Sequence, residues 1–181
     1  MEALRLEELD YSYDNYVTWS GEWELFDGLP VAMSPAPMIN HQMLAAEMSR
    51  IIGNALEECT SCAVASEVDY KVNNNTILRP DVVLFCEDPY KAYLSKAPEM
   101  IVEVISPSTA KRDEVYKFDI YQTEKVKYYI IIYPDDLIAK VYKLDGKVYD
   151  KQGDFSEKIY HFEDLKCPLS IDFERVFARF H

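Results

Sequence analysis

No stretch of this chain is apolar for long enough to span a bilayer, and the opening MEALRLEELD is acidic rather than a basic leader with an apolar centre. The expectation is a soluble, cytoplasmic protein. Internal repeats, linkers and low-complexity segments are also missing. The 181 residues are therefore read as a single domain, 1–181, large enough for one sizeable core.

Cysteine is sparse and unpatterned. Cys59, Cys62, Cys86 and Cys167 lack a disulfide-dense spacing, which suits a reducing compartment. Cys59 and Cys62 form a CxxC, but zinc needs two more ligands and none follows at close spacing. His41, His161 and His181 are too scattered to supply them, so free thiols at a helix end are expected. Positive charge is short as well: 19 Lys and Arg stand against 32 Asp and Glu, for a net charge of −13. Nonspecific affinity for nucleic acid comes largely from neutralising phosphates, so tight nonspecific duplex binding is not expected. Lys111, Arg112, Lys117, Lys125 and Lys127 nevertheless cluster in sequence. A transient phosphate substrate, or a site made basic by its metal, stays open.

What is present reads as a mixture of strands and helices. Ser12 is a candidate cap for a short helix ending near Gly21. The apolar runs Trp23 to Phe26 and Leu29 to Met33 flank Asp27-Gly28, a strong hairpin signal, and Pro35 and Pro37 stop the second strand. From Asn40 to Glu58, Leu44, Met48, Ile51, Ile52, Ala55 and Leu56 recur with helical spacing, with Asn40 as the cap. Glu47 sits at the border of that stripe, either as an exposed acid or as a third carboxylate reaching a metal site. Ala63 to Val72 reads as one strand, closed by the Asn73–Asn75 turn. Tyr128 to Tyr133 is apolar without alternation, which marks a strand buried on both faces. Leu137 to Tyr149 is a second hairpin about Asp145-Gly146, followed by a strand at 169–171 and a helix over 172–180.

The stretch from Arg79 to Tyr121 carries the chemistry. Its two short apolar runs, 81–86 and 99–105, are joined by a loop holding Pro89, Tyr90 and Pro98, and most simply pair antiparallel. With the midpoint near residue 92, Asp81 falls opposite or diagonal to Glu103, close enough for both carboxylates to share one cation. On the second run Met100, Val102 and Val104 face one way, and Ile101, Glu103 and Ile105 the other. A carboxylate between isoleucines is costly unless it is paired or metal-bound, so either a salt bridge or a metal shared with Asp81 explains it. Ser106, Ser108 and Thr109 are caps for a helix over 110–124, in which Asp113, Lys117 and Tyr121 stack four residues apart. Such a stack alone more often marks a solvated face.

The order Pro80-Asp81, Glu103-Val-Ile-Ser106, then Asp113, Lys117 and Tyr121 ahead of the YYIII strand resembles the Uma2 (Uma-two) family of the restriction-endonuclease-like PD-(D/E)XK superfamily. The segments YSYDNY and WELFDGLPVAMSPAP, with His41 at the helix start, resemble its entry region. The resemblance implies an α/β restriction-endonuclease-like core, a mixed central β-sheet flanked by helices, with an added N-terminal hairpin. It implies phosphodiester cleavage with Mg²⁺, or Mn²⁺ in its place, held by Asp81, Glu103 and the backbone carbonyl of Val104. Ile105 stands where the superfamily lysine belongs, and Lys117 matches the family's alternative position. Asp113, Tyr121 and His41 are further site candidates and Glu47 an added metal ligand. An inactive nuclease-fold binding or assembly module is the alternative function. Nucleic acid, DNA or RNA, is the implied partner, and tyrosine richness together with Tyr90, Tyr93 and Leu94 in the 87–98 loop suggests a homodimer surface.

Overall fold

The computed structural model describes residues 9–33, 38–87, 92–107 and 109–180. The expected stop at Pro35 and Pro37, Pro89 and Tyr90 of the long loop, the Ser108 cap, the first eight residues of the acidic leader and His181 lie outside these residues.

The short helix α1 (Tyr13–Tyr16) is followed by strands β1 (Trp23–Phe26) and β2 (Leu29–Ala32). Their turn has Asp27 at φ 46° and Gly28 at φ 80°, the paired positive φ values of a type I′ hairpin. Gly28 is required twice over, because a Cβ there would lie 2.9 Å from Asp10 Cα. Gly28→Ala is expected to destabilise by more than about 1 kcal/mol, lowering Tm by at least 2–4 °C. A melting curve that superimposes on wild type would contradict the tight turn.

Helix α2 (Ile39–Ala55) is the amphipathic helix expected from residue 40, with Met38 rather than Asn40 at its cap. It fully buries Leu44, Met48 and Ile52, each worth roughly 1.5–3 kcal/mol. Next come β3 (Cys62–Ser66), β4 (Tyr70–Lys71), β5 (Ile77–Leu78), β6 (Val82–Cys86) and β7 (Met100–Val104). The single strand expected over 63–72 is thus two. A break at Glu67, with φ 53°, sends β3 and β4 into different sheets. Beyond β7, a π-helical turn over Arg112–Lys117 runs into α3 (Phe118–Thr123). The chain then forms β8 (Tyr128–Tyr133), β9 (Ile138–Asp145), β10 (Val148–Phe155), β11 (Ile159–Phe162), β12 (Leu169–Asp172) and α4 (Phe173–Phe177).

The main sheet has six strands in the order β10-β9-β8-β7-β6-β3, a smaller one runs β2-β1-β5-β4, and β11 pairs with β12. The main sheet is mixed, since β7 and β8 are parallel and its other pairs antiparallel. Both faces are buried. Val82, Leu84, Met100, Val102, Val104, Ile130 and Ile132 pack on one side with α2, α4 and β12. Val83, Ile101, Ile105, Tyr129 and Ile131 pack on the other with Tyr121 and Tyr70. Tyr93 and Leu94, expected at a homodimer surface, are used inside the chain. Leu94 is buried and bridges Tyr70, and the Tyr93 ring meets Tyr13 at 5.0 Å. Among the described residues no helix is long and apolar enough to cross a membrane.

All four cysteines converge on one place, against the expectation of free thiols. Cys59 with Cys167, and Cys62 with Cys86, stand at disulfide-bonding distance.

Candidate active site

The register Val82↔Val102 continues to Asp81 opposite Glu103, so the two carboxylates meet just where β6 begins and β7 ends. They are tied through the backbone: Val104 N–H donates to Asp81 Oδ2 at 2.7 Å, and Asp81 N–H donates to Glu103 Oε2 at 3.4 Å. The other oxygen of Glu103 is committed elsewhere. Lys117 Nζ lies 2.8 Å from Glu103 Oε1, and the Tyr121 hydroxyl donates to the same atom at 2.9 Å. The salt bridge therefore holds one oxygen of Glu103 and leaves the other turned towards Asp81.

The π turn explains how Asp113, Lys117 and Tyr121 reach this point together. Four residues fall slightly short of a full revolution in a π-helix and overshoot it in an α-helix, so passing from one to the other cancels the drift. The Tyr129 hydroxyl donates to the Asp113 carbonyl at 2.9 Å, placing an outside donor in the helical ladder at this turn. The stack is not a solvated face: Asp113, Lys117 and Tyr121 are 3%, 2% and 0% exposed.

Glu24 of the N-terminal hairpin completes the lysine's surroundings. It is wholly buried, with Oε1 2.8 Å from Lys117 Nζ and accepting from Arg79 N–H, and Oε2 3.4 Å from Arg112 Nε. Asp113 Oδ1 stands 3.6 Å from Lys117 Nζ. In the sequence Glu24 lies within a run, Trp23 to Phe26, that reads as apolar. An acid next to Leu25 in a four-residue strand carried the same signal as Glu103.

Burial pushes the Lys117 amine down, but Glu103, Glu24 and Asp113 outweigh it and hold the amine well above the usual lysine range. Glu103 is pushed well above the usual carboxylate range by burial and by the neighbouring acids Asp81, Asp113 and Glu24, against the pull of Lys117. Asp113 is raised by burial in the same way, and burial keeps the Tyr121 phenol protonated as a donor.

His41, in the first turn of α2, places Nε2 3.2 Å from Asp81 Oδ2. Burial lowers its pKa, but the Asp81 hydrogen bond, the Asp81 and Asp113 charges and the Val104 backbone together raise it. Glu47 does not join. Both its oxygens are taken by Arg50 three residues on, and it does not line the cavity. The spacing that set Glu47 at the stripe's border points it along the helix surface. Ile105 packs into the core below the site, and Lys117 reaches Glu103 from the crossover segment instead.

Above these groups opens a cavity of about 460 Å³, lined by His41, Asp81, Glu103, Asp113 and Lys117, with Arg79 and Arg112 at its wall. Three acids, Glu24, Glu103 and Asp113, gather around Lys117 and Arg112, and Asp81 beside them pairs with His41. Buried carboxylates in excess of their cations favour added positive charge. Among the described residues Glu24 Oε2, Asp113 Oδ1, His41 Nδ1 and Arg112 Nε are buried without a hydrogen-bond partner. The donor set of Asp81, Glu103, the Val104 carbonyl and His41 therefore fits a divalent cation.

No curated protein matches the sequence. The structure is similar to the crystal structure of a protein described as "a putative nuclease belonging to DUF820" from Anabaena variabilis ATCC 29413, with a TM-score of 0.78 and 14% identity. That match covers 94% of this chain and 99% of the other, and establishes a shared fold. In sequence, residues 11–170 match the Uma2 family, described as "Putative restriction endonuclease", and the chain belongs to that family.

Proposed function

We propose that the protein is a divalent-metal-dependent nuclease that hydrolyses phosphodiester bonds. The observation that carries this reading is the excess of carboxylates about Lys117, beside a cavity that opens onto Asp81 and Glu103. Asp81, Glu103 and the Val104 carbonyl would hold the ion, with His41 closing the set. Oxygen donors suit Mg²⁺, and the imidazole makes Mn²⁺ a fit substitute. When bound, the ion supplies a polarised phosphoryl oxygen and an attacking water of lowered pKa.

The chain's own groups do the rest. The Val104 N–H fixes Asp81, while Lys117 and Tyr121 fix one oxygen of Glu103, so neither carboxylate needs to reorganise. Lys117, kept cationic by its acids, lines the cavity where it can orient the water or stabilise charge developing on phosphate. Arg79 and Arg112 offer guanidinium groups to the flanking phosphates from the cavity wall.

A second reading, a binding module without turnover, is favoured by the net charge of −13 and by the three acids already engaging Lys117. Incubating metal-stripped protein with single- and double-stranded DNA and RNA, with and without Mg²⁺ or Mn²⁺, separates the two. Cleavage that needs the ion and stops on chelation is expected. Calorimetric binding of the ion with none of the four substrates cut would favour the module. His41→Ala is expected to weaken metal affinity by at least the roughly 10- to 100-fold that loss of an outer-shell partner alone costs. Unchanged affinity by calorimetry would take His41 out of the site.

A further inference from the structure

The second cluster of chemistry-bearing side chains lies away from the acidic site. Helix α2 carries His41 in its first turn and ends roughly 20 Å on, at 1.5 Å per residue, in the turn that leads to Cys59. Strand β6 is entered from Asp81 and ends at Cys86. Two elements that hold the acidic site thus each deliver a cysteine at the opposite end.

Cys62 opens β3 directly across from Cys86, and Cys167 arrives from the segment before β12. The two close pairs, Cys59 with Cys167 and Cys62 with Cys86, adjoin one another. Cys62 Sγ and Cys167 Sγ lie 3.3 Å apart across the two close pairs, and the Cys59, Cys62 and Cys167 sulfurs all lie within 4.8 Å of one another. Tetrahedral zinc with Zn–S near 2.3 Å sets its sulfurs about 3.8 Å apart, so the Cys62–Cys167 separation is already close to that spacing, and the two bonded pairs would open to it by side-chain rotation. The Ser61 hydroxyl stands 3.5 Å from Cys59 Sγ, 3.6 Å from Cys167 Sγ and 3.9 Å from Cys62 Sγ. A hydroxyl among three sulfurs is a donor suited to thiolates. Beside them Lys166 pairs with Glu87, so a cation sits next to Cys167 and the β6 end is joined to the same C-terminal segment. Where thiols are kept reduced the two S–S bonds do not form, and Cys86, within bonding reach of Cys62, is the fourth thiol beside the other three.

We propose that Cys59, Cys62, Cys86 and Cys167 form a tetrathiolate Zn²⁺ site that clamps the C-terminal segment to helix α2 and the main sheet. The CxxC turn supplies two ligands, and β6 and the C-terminal segment supply the others. Binding releases the protons of the four thiols, leaving a site of two net negative charges next to Lys166. The segment it clamps brings Leu165, Leu169, Ile171, Phe173, Val176 and Phe177 into the core beneath α2. The role is structural, and the site is closed, with no position for substrate.

The test uses full-length protein purified under reducing conditions, with zinc counted by elemental analysis. One zinc per chain is expected, retained when Asp81→Asn removes a ligand of the acidic site and lost in Cys167→Ser. Wild-type protein exchanged into Co²⁺ should show the visible bands of tetrahedral cobalt with thiolate charge transfer, which keeps the test valid if the serine variant fails to fold. Stripping the zinc should lower Tm. Metal-free protein in which all four thiols react, or protein isolated under these conditions with its mass reduced by the four hydrogens of two disulfides, would overturn the proposal.

Discussion

Glu103→Gln is expected to remove divalent-metal binding at the acidic site and to reduce cleavage to the level of the chelated wild type, while the protein still folds. The side chain is nearly isosteric, and its amide oxygen can still accept from Lys117 and Tyr121, the partners of Glu103 Oε1. What it cannot supply is an anionic oxygen beside Asp81. Burial and neighbouring acids already make the charged form of Glu103 costly, so a neutral replacement relieves that cost. Lys117 keeps Glu24 and Asp113 as counter-charges. Isothermal calorimetry with Mg²⁺ and Mn²⁺, a cleavage assay and a thermal melt read the three consequences separately. Full activity in the variant would sink the nuclease reading, and lost activity with lost folding would make Glu103 a structural residue.

Lys117→Met is expected to cost about 3–5 kcal/mol at neutral pH, the usual effect of removing one partner from a buried ionic group. It strands Glu24, Glu103 and Asp113 around an uncharged side chain. Lys117 lowers the pKa of both Glu103 and Asp113, so its loss drives both higher in the folded state than burial already does. A carboxyl whose folded pKa lies above its unfolded value binds more protons when folded. Its contribution is full below the unfolded pKa, about 4, and is lost as pH rises through the folded pKa. The variant should therefore recover stability on acidification from neutral pH towards 5 more than wild type does, and the gap between them should narrow. Urea unfolding at both pH values measures it. An equal gap at both would mean that the lysine's stem, not its charge, holds the region together.

Much of the centre of this molecule is readable from residue order. A midpoint at residue 92 sets Asp81 across from Glu103, and alternation along Met100 to Ile105 puts Glu103 on the face where Ile101 and Ile105 are buried. Asp27-Gly28 marks its hairpin because both residues must take positive φ. What escapes such reading is contact between distant segments. The hairpin's arrival over the crossover, which buries Glu24 against Lys117, leaves no periodic trace. Neither does the meeting of Cys167 with Cys59, across a sequence separation of 108. The burial of Asp113 and Lys117 escapes for a related reason: four-residue spacing groups them with Tyr121, but a stack of polar groups reads as solvated until the strands and hairpin that cover it are in place.

The parallel pairing of β7 with β8 has a bearing on the order of assembly. Parallel neighbours cannot be joined by a tight turn, so the chain must leave the sheet after Val104, cross over, and return at Tyr128. That excursion is the segment carrying Asp113, Lys117 and Tyr121. Its lysine finds Glu103 only on the completed strand, and Glu24 only once the hairpin has docked. The constellation therefore rests largely on contacts of long sequence separation, whose loop-closure entropy must be met before charge pairing rewards it. A nascent chain whose ribosome has not yet released β8 holds every residue of the cleft in sequence but lacks the strand that flanks Glu103.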